Sequence, residues 1–342
     1  MSVKRRVIGL SFNYRTDQLK DGIYNLTGPS HMENKIRDAF AAVGVETHTV
    51  DLVDPSSDET LAVIFFDFNW RHWLHDKYLK TVPFEKRVLV TVEPRNINPT
   101  LYYVPFFRRK FKTVFTYDER LLAKNPDYIR HVVISAGELS TFAENRYAHI
   151  PFADKKLLCA VNLNRWSYMP QSTYGLRKKA YGWFCDHRPE NFDLYGHYWN
   201  QPVIFYERWF GYPKFSCYRG AILGDYTKKM DTMARYRFAL CFENNADAPG
   251  YISEKIRDCF CARCVPIYYG SSGIEKYVPR DCFVNLRDFK SFEDLDRFIA
   301  GMTECEHARY VSAIDRYIGS PAAGYLSSKN FTDILVRGLG LK

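Results

Sequence analysis

The sequence contains no apolar run long enough to cross a membrane, which excludes a membrane-spanning helix. Near the N-terminus the apolar stretch after Lys4-Arg5-Arg6 spans only Val7 to Leu10. That is too short for the core of a signal peptide and reads better as a buried first strand. There is no lysine-rich tail and no block of five like charges, so the net charge of +9 is spread along the chain. A dedicated nucleic-acid arm is thereby excluded. Dispersed positive charge instead suits a phosphate-bearing small substrate, with loose attraction to an anionic membrane face. The expected location is the cytoplasm, peripheral on the inner membrane face at most, unless the chain is a fragment of a longer anchored protein. No internal repeat or low-complexity segment stands out.

Paired cysteine spacing is also missing. The nine cysteines are scattered, and Cys261 and Cys264 form a single CxxC beside Cys259, with no second CxxC and no nearby histidine. A structural zinc site needs four ligands, so these read as small apolar side chains on a helix. With no export signal, the thiols are expected to be reduced.

What is present is a chain of 342 residues, 46% hydrophobic and 25% charged, long enough for two ordinary domains with sizeable cores. Aromatics reach 16%, with 25 Tyr and 25 Phe. They fit either an aromatic-rich core or faces on which pyranose rings pack. Strand-like and helix-like stretches alternate: strands at Arg6–Leu10, Thr47–Val53, Leu61–Phe66, Arg87–Val92 and Thr113–Thr116, a helix at Met32–Val43, and the end of a short helix at Lys77–Lys80. The pattern pauses at Ile150-Pro-Phe-Ala153 and resumes. Strands follow at Lys156–Val161, Phe192–Tyr195, Arg237–Phe242, Val265–Tyr269 and Cys282–Asn285, with helices at Gly175–Cys185 and Glu254–Ala262. Alternation of this kind predicts parallel sheets covered on both faces. The expectation is an α/β chain of two Rossmann-like domains facing each other across a cleft, residues 1–153 and 154–342, the last helix packing back on the first domain. Sites should lie in loops after the strands' carboxyl ends.

Residues 236–270 read as strand, polar loop, helix, strand. Glu243, Asn244 and Asn245 offer donors and acceptors at a strand's carboxyl end, and Ser253 is placed to cap the helix that opens at Glu254. Lys255 then sits in the first helical turn, where the helix dipole is already positive. That placement makes sense if an anion binds there, so that amides, dipole and ammonium converge on a diphosphate, with Glu254 accepting from ribose hydroxyls. An ordinary surface Glu-Lys pair is the alternative.

Three stretches in order, Phe238-Ala-Leu-Cys-Phe-Glu-Asn-Asn245, Tyr251-Ile-Ser-Glu-Lys255 and Val265-Pro-Ile-Tyr-Tyr-Gly270, followed by Phe283-Val-Asn285, resemble the signature of the α1,3-fucosyltransferases, glycosyltransferase family 10. Asn245 stands where the family usually has Ser, Ser253 for Thr, and Tyr269 for Trp. The resemblance implies a GT-B fold, a GDP-fucose donor, inversion at the anomeric carbon and no metal or other cofactor. It places Asn244, Tyr251, Glu254 and Lys255 around the donor, with Arg177 as the diphosphate's arginine and Asn162 or Asn164 near phosphate. A planar guanidinium can grip phosphate in two places; a solvated helix face is the competing reading for Arg177, since Lys178 and Lys179 adjoin it.

Inversion requires a base for the acceptor hydroxyl. Glu93 is the expected one. It follows an apolar strand, Pro94 holds it in extended geometry, and Val92-Glu-Pro-Arg-Asn-Ile-Asn-Pro99 resembles the family's strand-end Glu. No Asp-x-Asp closes a strand in the manner of metal-dependent glycosyltransferases. Asp67-Phe-Asn69 comes near it, with His72 and His75 close in sequence, but it lies in the acceptor half. Trp70 and Trp73 read either as stacking faces for an acceptor sugar or as a hydrophobic helix face. The expected partners are GDP-fucose and an acceptor oligosaccharide or lipid-linked glycan, such as a bacterial surface polysaccharide precursor, and not nucleic acid. A related transferase using another nucleotide sugar, and a non-catalytic glycan- or nucleotide-binding relative, are the alternatives.

Overall fold

Continuous runs of β-branched and aromatic residues, rather than strict alternation, mark strands buried on both faces. In the computed structural model, which describes residues 5–12, 19–26, 31–68, 73–131, 147–223 and 226–341, such runs form two parallel sheets. The first has six strands: β1 (Val7–Ser11), β2 (Glu46–Thr49), β3 (Thr60–Phe66), β4 (Arg87–Val90), β5 (Thr113–Thr116) and β6 (Ile129–Arg130), in the order β2-β1-β3-β4-β5-β6. The second has five: β7 (Lys156–Val161), β8 (Phe192–Tyr195), β9 (Tyr236–Phe242), β10 (Val265–Tyr269) and β11 (Val284–Asn285), in the order β11-β10-β9-β7-β8. Every pairing recorded within the two sheets is parallel.

Two compact units contain these sheets. One comprises Met1–Glu138, Ala248–Tyr251 and Gly324–Lys342, and the other Leu139–Asp247 and Ile252–Ala323. The expected boundary after residue 153 therefore lies inside the second unit. The reason is local: Phe152 lies under the Arg237 guanidinium at 3.7 Å, and its carbonyl accepts from Arg237 Nε at 3.2 Å. These contacts fasten the 150–153 pause to β9. In the first unit, Ile36 and Phe40 of the helix Met32–Ala41 turn one apolar face onto the sheet. Phe331, Leu335 and Val336 of the helix Ser328–Gly338 join the same core. Ser327 caps that last helix by accepting from the Asn330 amide.

Strand ends depart from the sequence reading where side chains or proline intervene. After β2 the chain turns into a 3-10 segment at Val50–Leu52 instead of staying extended to Val53. Pro279 precedes a 3-10 turn at Arg280–Cys282, leaving only Val284–Asn285 as strand. A larger correction concerns the cysteines. Cys185 and Cys217 form a disulfide, with Cα atoms 5.4 Å apart, within the range such bonds require. Their separation of 32 residues hid the pair. It arises because the backbone around Cys217 returns to β8: the Leu194 amide donates to the Cys217 carbonyl and the Arg219 amide to Leu194. The CxxC thiols stay unjoined, Cys264 being buried and Cys261 partly so. No described helix is long and apolar enough to cross a membrane.

Candidate active site

In the second sheet the strand order reverses between β7 and β9. A doubly wound sheet opens its ligand crevice beyond the carboxyl ends of the strands at such a point. Asn162 follows β7 and Glu243-Asn244 follow β9, so both polar groups stand at that switch. The chain near Asn162 is closely packed. Its amide donates to Tyr195 O at 3.0 Å, its carbonyl accepts from Trp199 Nε1 at 2.6 Å, and its Nδ2 donates to Tyr181 Oη at 2.9 Å. Gly196 has φ +131°, and a Cβ there would lie 1.9 Å from Asn162 O, so only glycine permits this approach.

Glu243 organises the other side. Fully buried, its carboxylate accepts from the Ser253 amide at 2.7 Å and from Ser253 Oγ at 2.6 Å. Burial pushes its pKa up, while Lys255 and the Ser253 donors pull it part of the way back. The contact fixes the start of the helix Glu254–Cys261, where Ser253 is the N-cap and accepts from the Lys255 amide. Lys255 Nζ folds back to Ser253 Oγ at 2.9 Å, within 3.4 Å of Glu254 and 3.7 Å of Glu243. Burial lowers the ammonium's pKa, but Glu254 and Glu243 outweigh that and raise it, so Lys255 stays charged at neutral pH. Glu254 is held below the ordinary carboxylate range: desolvation opposes this, and Lys255 and Lys229 overcome it.

Arg177 is not on a solvated face. It is 3% exposed and lies near enough to Lys255 to depress its pKa. The segment Gln171–Thr173 docks on the end of β9: the Ala246 amide donates to Gln171 O, the Thr173 amide to Asn244 O, and Thr173 Oγ1 to Glu243 O. This aims the helix Tyr174–His187 so that Arg177 Nη2 reaches Phe242 O at 2.5 Å and Asn244 Oδ1 at 3.0 Å. Lys178, next in sequence, pairs instead with the buried Glu207 at 2.6 Å. Arg177, Asn244, Glu254, Lys255 and Asn162 thus collect at one sheet edge within one unit.

Tyr251 belongs to the first unit with Ala248–Gly250, packing on Tyr117 with ring centroids 5.2 Å apart. Gly250, at φ +85°, makes this possible, since a Cβ there would lie 2.3 Å from Tyr117 O. Asn164 Nδ2 donates to Tyr198 O at 3.0 Å. Trp70 and His72 lie outside the described residues; Trp73 opens the helix Trp73–Thr81 and His75 lies within it, and the side chains of both are outside the description.

Lys229 was not singled out from the sequence. Its Nζ bonds Asp258 Oδ2 at 2.5 Å, and it lines the same small cavity as Asn162 and Lys255. Burial lowers its pKa and Asp258 with Glu254 more than restores it. A sequence signal existed: Arg257 and Asp258 sit inside a run of buried helical residues, and buried charges need partners. A second cation, Arg287, stacks on Tyr269 at 4.3 Å and donates to Gly270 O at 2.9 Å. A larger groove of about 980 Å³ lies between the helices Phe292–Ala300 and Glu304–Ile318, but no residue of this cluster lines it. Arg297 and Arg316 there already pair with Asp294 and Asp281.

In the first unit, Glu93 is partly buried beyond β4. Its amide donates to Asp67 Oδ2 at 2.7 Å, and its carbonyl accepts from Tyr102 Oη at 2.6 Å and Tyr117 Oη at 3.1 Å. The Val92 amide donates to Asp67 Oδ1 at 2.7 Å. Because Asp67 takes these two amides, the extended run stops at Val90 rather than Val92. Each Asp67 oxygen thus accepts one backbone amide, and Asn69 lies outside the described residues. Among the described residues no cluster of three or more His, Cys, Asp or Glu is placed to hold a metal ion.

Residues 213–314, which include β9, the polar loop and the helix at Glu254, match the model of the glycosyltransferase family 10 (fucosyltransferase) C-terminal region. This region belongs to glycosyltransferase family 10. Curated relatives match over a short stretch of the chain. Human 4-galactosyl-N-acetylglucosaminide 3-alpha-L-fucosyltransferase FUT6 and human 3-galactosyl-N-acetylglucosaminide 4-alpha-L-fucosyltransferase FUT3 are each 41% identical over 86 residues. That stretch is 24% of this chain and 23% of each relative, so the match spans about a quarter of their length. Among solved structures, an α1,3-fucosyltransferase with GDP-fucose is 16% identical and covers 99% of this chain and 91% of its own, with a TM-score of 0.55. A DNA-modifying β-glucosyltransferase is 10% identical, covering 98% and 99%, with a TM-score of 0.52. These likenesses establish the GT-B fold.

Proposed function

We propose that the protein is an inverting fucosyltransferase, moving L-fucose from GDP-fucose to an acceptor glycan hydroxyl, in an α1,3 linkage, with Glu93 as general base. The observation that carries this reading is the gathering of Arg177, Lys229 and Lys255 at the β7/β9 switch, at the N-terminus of the helix Glu254–Cys261. Amides, dipole and three cations converge where a departing diphosphate develops charge, and fixed cations there lower the barrier most. The donor identity is supported by the family 10 region and by the neighbour solved with GDP-fucose. No metal has a part in this scheme. Exposed Trp166, Tyr168 and Tyr198 follow β7 and β8 and suit an acceptor glycan, which packs its C–H faces on aromatic rings. Disulfides persist in oxidising compartments, so the Cys185–Cys217 bond weighs against a cytoplasmic location.

The test is transfer from GDP-fucose to a panel of acceptors that includes N-acetyllactosamine, with release of GDP. Glu93→Gln is expected to cut transfer by about 100- to 10,000-fold while GDP still raises the melting temperature. A Gln variant as active as the parent overturns Glu93 as base. Stabilisation by UDP and not by GDP overturns the donor.

A further inference from the structure

We propose that Asp67 is the positioning residue of the reaction: its carboxylate clamps the backbone of Val92 and Glu93 and thereby sets where, and how strongly, Glu93 acts as a base. The inference rests on Glu93 being that base. Asp67 follows β3, and its own amide continues the ladder by donating to Val90 O at 2.9 Å. Its side chain then reaches across to the neighbouring strand, one oxygen to each successive amide, both at 2.7 Å. The residue is 7% exposed and adopts φ +49°, a left-handed conformation that costs a non-glycine residue free energy and persists only where surroundings impose it. Asn98 Nδ2 donates to the carbonyls of Asp67 and Phe68, at 3.5 and 3.3 Å, tying the turn to the loop that follows Glu93.

From the opposite side, the hydroxyls of Tyr102 and Tyr117 lie 2.7 Å apart, and both approach Glu93 O. Glu93 is therefore held at its amide by an acid and at its carbonyl by two phenols. Its side chain leaves a backbone with little freedom to shift.

The charged and titratable groups around the clamp explain why its own charge bears on the base. Arg95 is bound through both nitrogens to Asp118, at 2.9 Å from Nε and 2.7 Å from Nη2. His131 bonds Thr91 O at 2.6 Å. Tyr102 and Tyr117 are raised well above the ordinary phenol range by burial and remain neutral. No cationic side chain bonds Asp67 among the described residues. Burial and the Glu93 carboxylate push Asp67 up to about 8, against the pull of the two amides. Below that pH Asp67 carries a proton and its charge is absent. Above it, a second negative charge beside Glu93 makes Glu93 the stronger proton acceptor, so kcat/KM should step upward as pH rises through about 8.

Asp67→Asn, measured in the full chain, tests this. The amide presents a donor to one of the two backbone N–H groups, so one clamp bond is lost. The expected result is a fall in kcat of about 10- to 100-fold, the range that a small misplacement of a catalytic group produces. GDP affinity and donor KM should stay within about twofold, because only the placement of the base has changed. The step near pH 8 should vanish. Tyr102→Phe, which loosens Glu93 O but leaves the Asp67 charge, should lower kcat and keep the step. A folded Asp67→Asn variant with the parent's kcat and an unchanged pH profile overturns the proposal. Should that variant not fold, a parent enzyme whose kcat/KM shows no step near pH 8 overturns it equally. An active Glu93→Gln enzyme would sink the base assignment itself, a result separable from either of these.

Discussion

On the proposed reading, a single side chain, Arg177, governs how the crevice grips a diphosphate. Both of its recorded hydrogen bonds use Nη2, to Phe242 O and Asn244 Oδ1, so Nη1 is engaged in neither. A lysine at this position would keep the charge but not the fork, and could not orient Asn244 while facing a phosphate. Arg177→Lys is expected to weaken GDP binding by roughly tenfold, about 1.4 kcal/mol, and Arg177→Ala further, because the buried Phe242 carbonyl then loses its donor. Calorimetric titration with GDP checks this; equal affinity in parent and Arg177→Ala would remove Arg177 from the donor site. Sequence alone carried Arg177 only as far as a resemblance, with a solvated helix face as its rival. Burial excludes the solvated face, and burial is a tertiary property. Asp67 was legible as an acid at a strand end, but its partners are backbone amides on a neighbouring strand, which no spacing rule reveals.

Among the elements, the helix Glu304–Ile318 is expected to carry a pH dependence of stability of its own. Thr303 and Glu306 close a capping box at its start, and His307, 5% exposed, sets Nε2 at 3.1 Å from Arg237 O on β9. Burial depresses the imidazole to about 4, with the hydrogen bond to Arg237 O opposing. Between that value and the ordinary range near 6.5 the unfolded chain binds more protons than the folded one. Stability from this group is therefore complete above about pH 6.5 and falls as pH drops towards about 4, by at most about 3 kcal/mol. Urea midpoints measured between pH 7 and pH 4.5 should show the decline, and His307→Gln, which retains a donor, should flatten it. An identical slope in the two proteins would assign the effect elsewhere. This helix was not assigned from the sequence, whereas the strands β3, β7, β9 and β10 were, nearly to the residue. The difference is physical. A strand buried on both faces is a solid apolar run, while a helix that buries Ala313, Ile314 and Tyr317 along one stripe is diluted by charge on its other faces.

Across the whole molecule, the chain's two ends contribute to the same unit. Residues 324–342 lie with 1–138, although the family 10 match, residues 213–314, covers neither of these two segments. Phe331, Leu335 and Val336 are 0%, 0% and 1% exposed and complete the core built by Ile8, Leu10, Ile36 and Phe40. Fully burying such side chains contributes roughly 1.5–3 kcal/mol each, so removing the last helix costs on the order of 6 kcal/mol. That equals the entire stability of many domains. Deleting residues 324–342 should thus unfold the first unit while the second keeps its own core, made of Leu158, Phe184, Phe238 and Ile267 among others. Hydrogen exchange read peptide by peptide distinguishes the outcomes. Amides of β1, β3 and β4 should lose protection, and those of β7, β9 and β10 should retain it. In such a protein, transfer should be lost together with the Glu93 clamp, whereas GDP should still protect the helix Glu254–Cys261. Uniform loss of protection in both sheets would mean that the units fold as one cooperative body, and protection retained in both would mean that the last helix adds little.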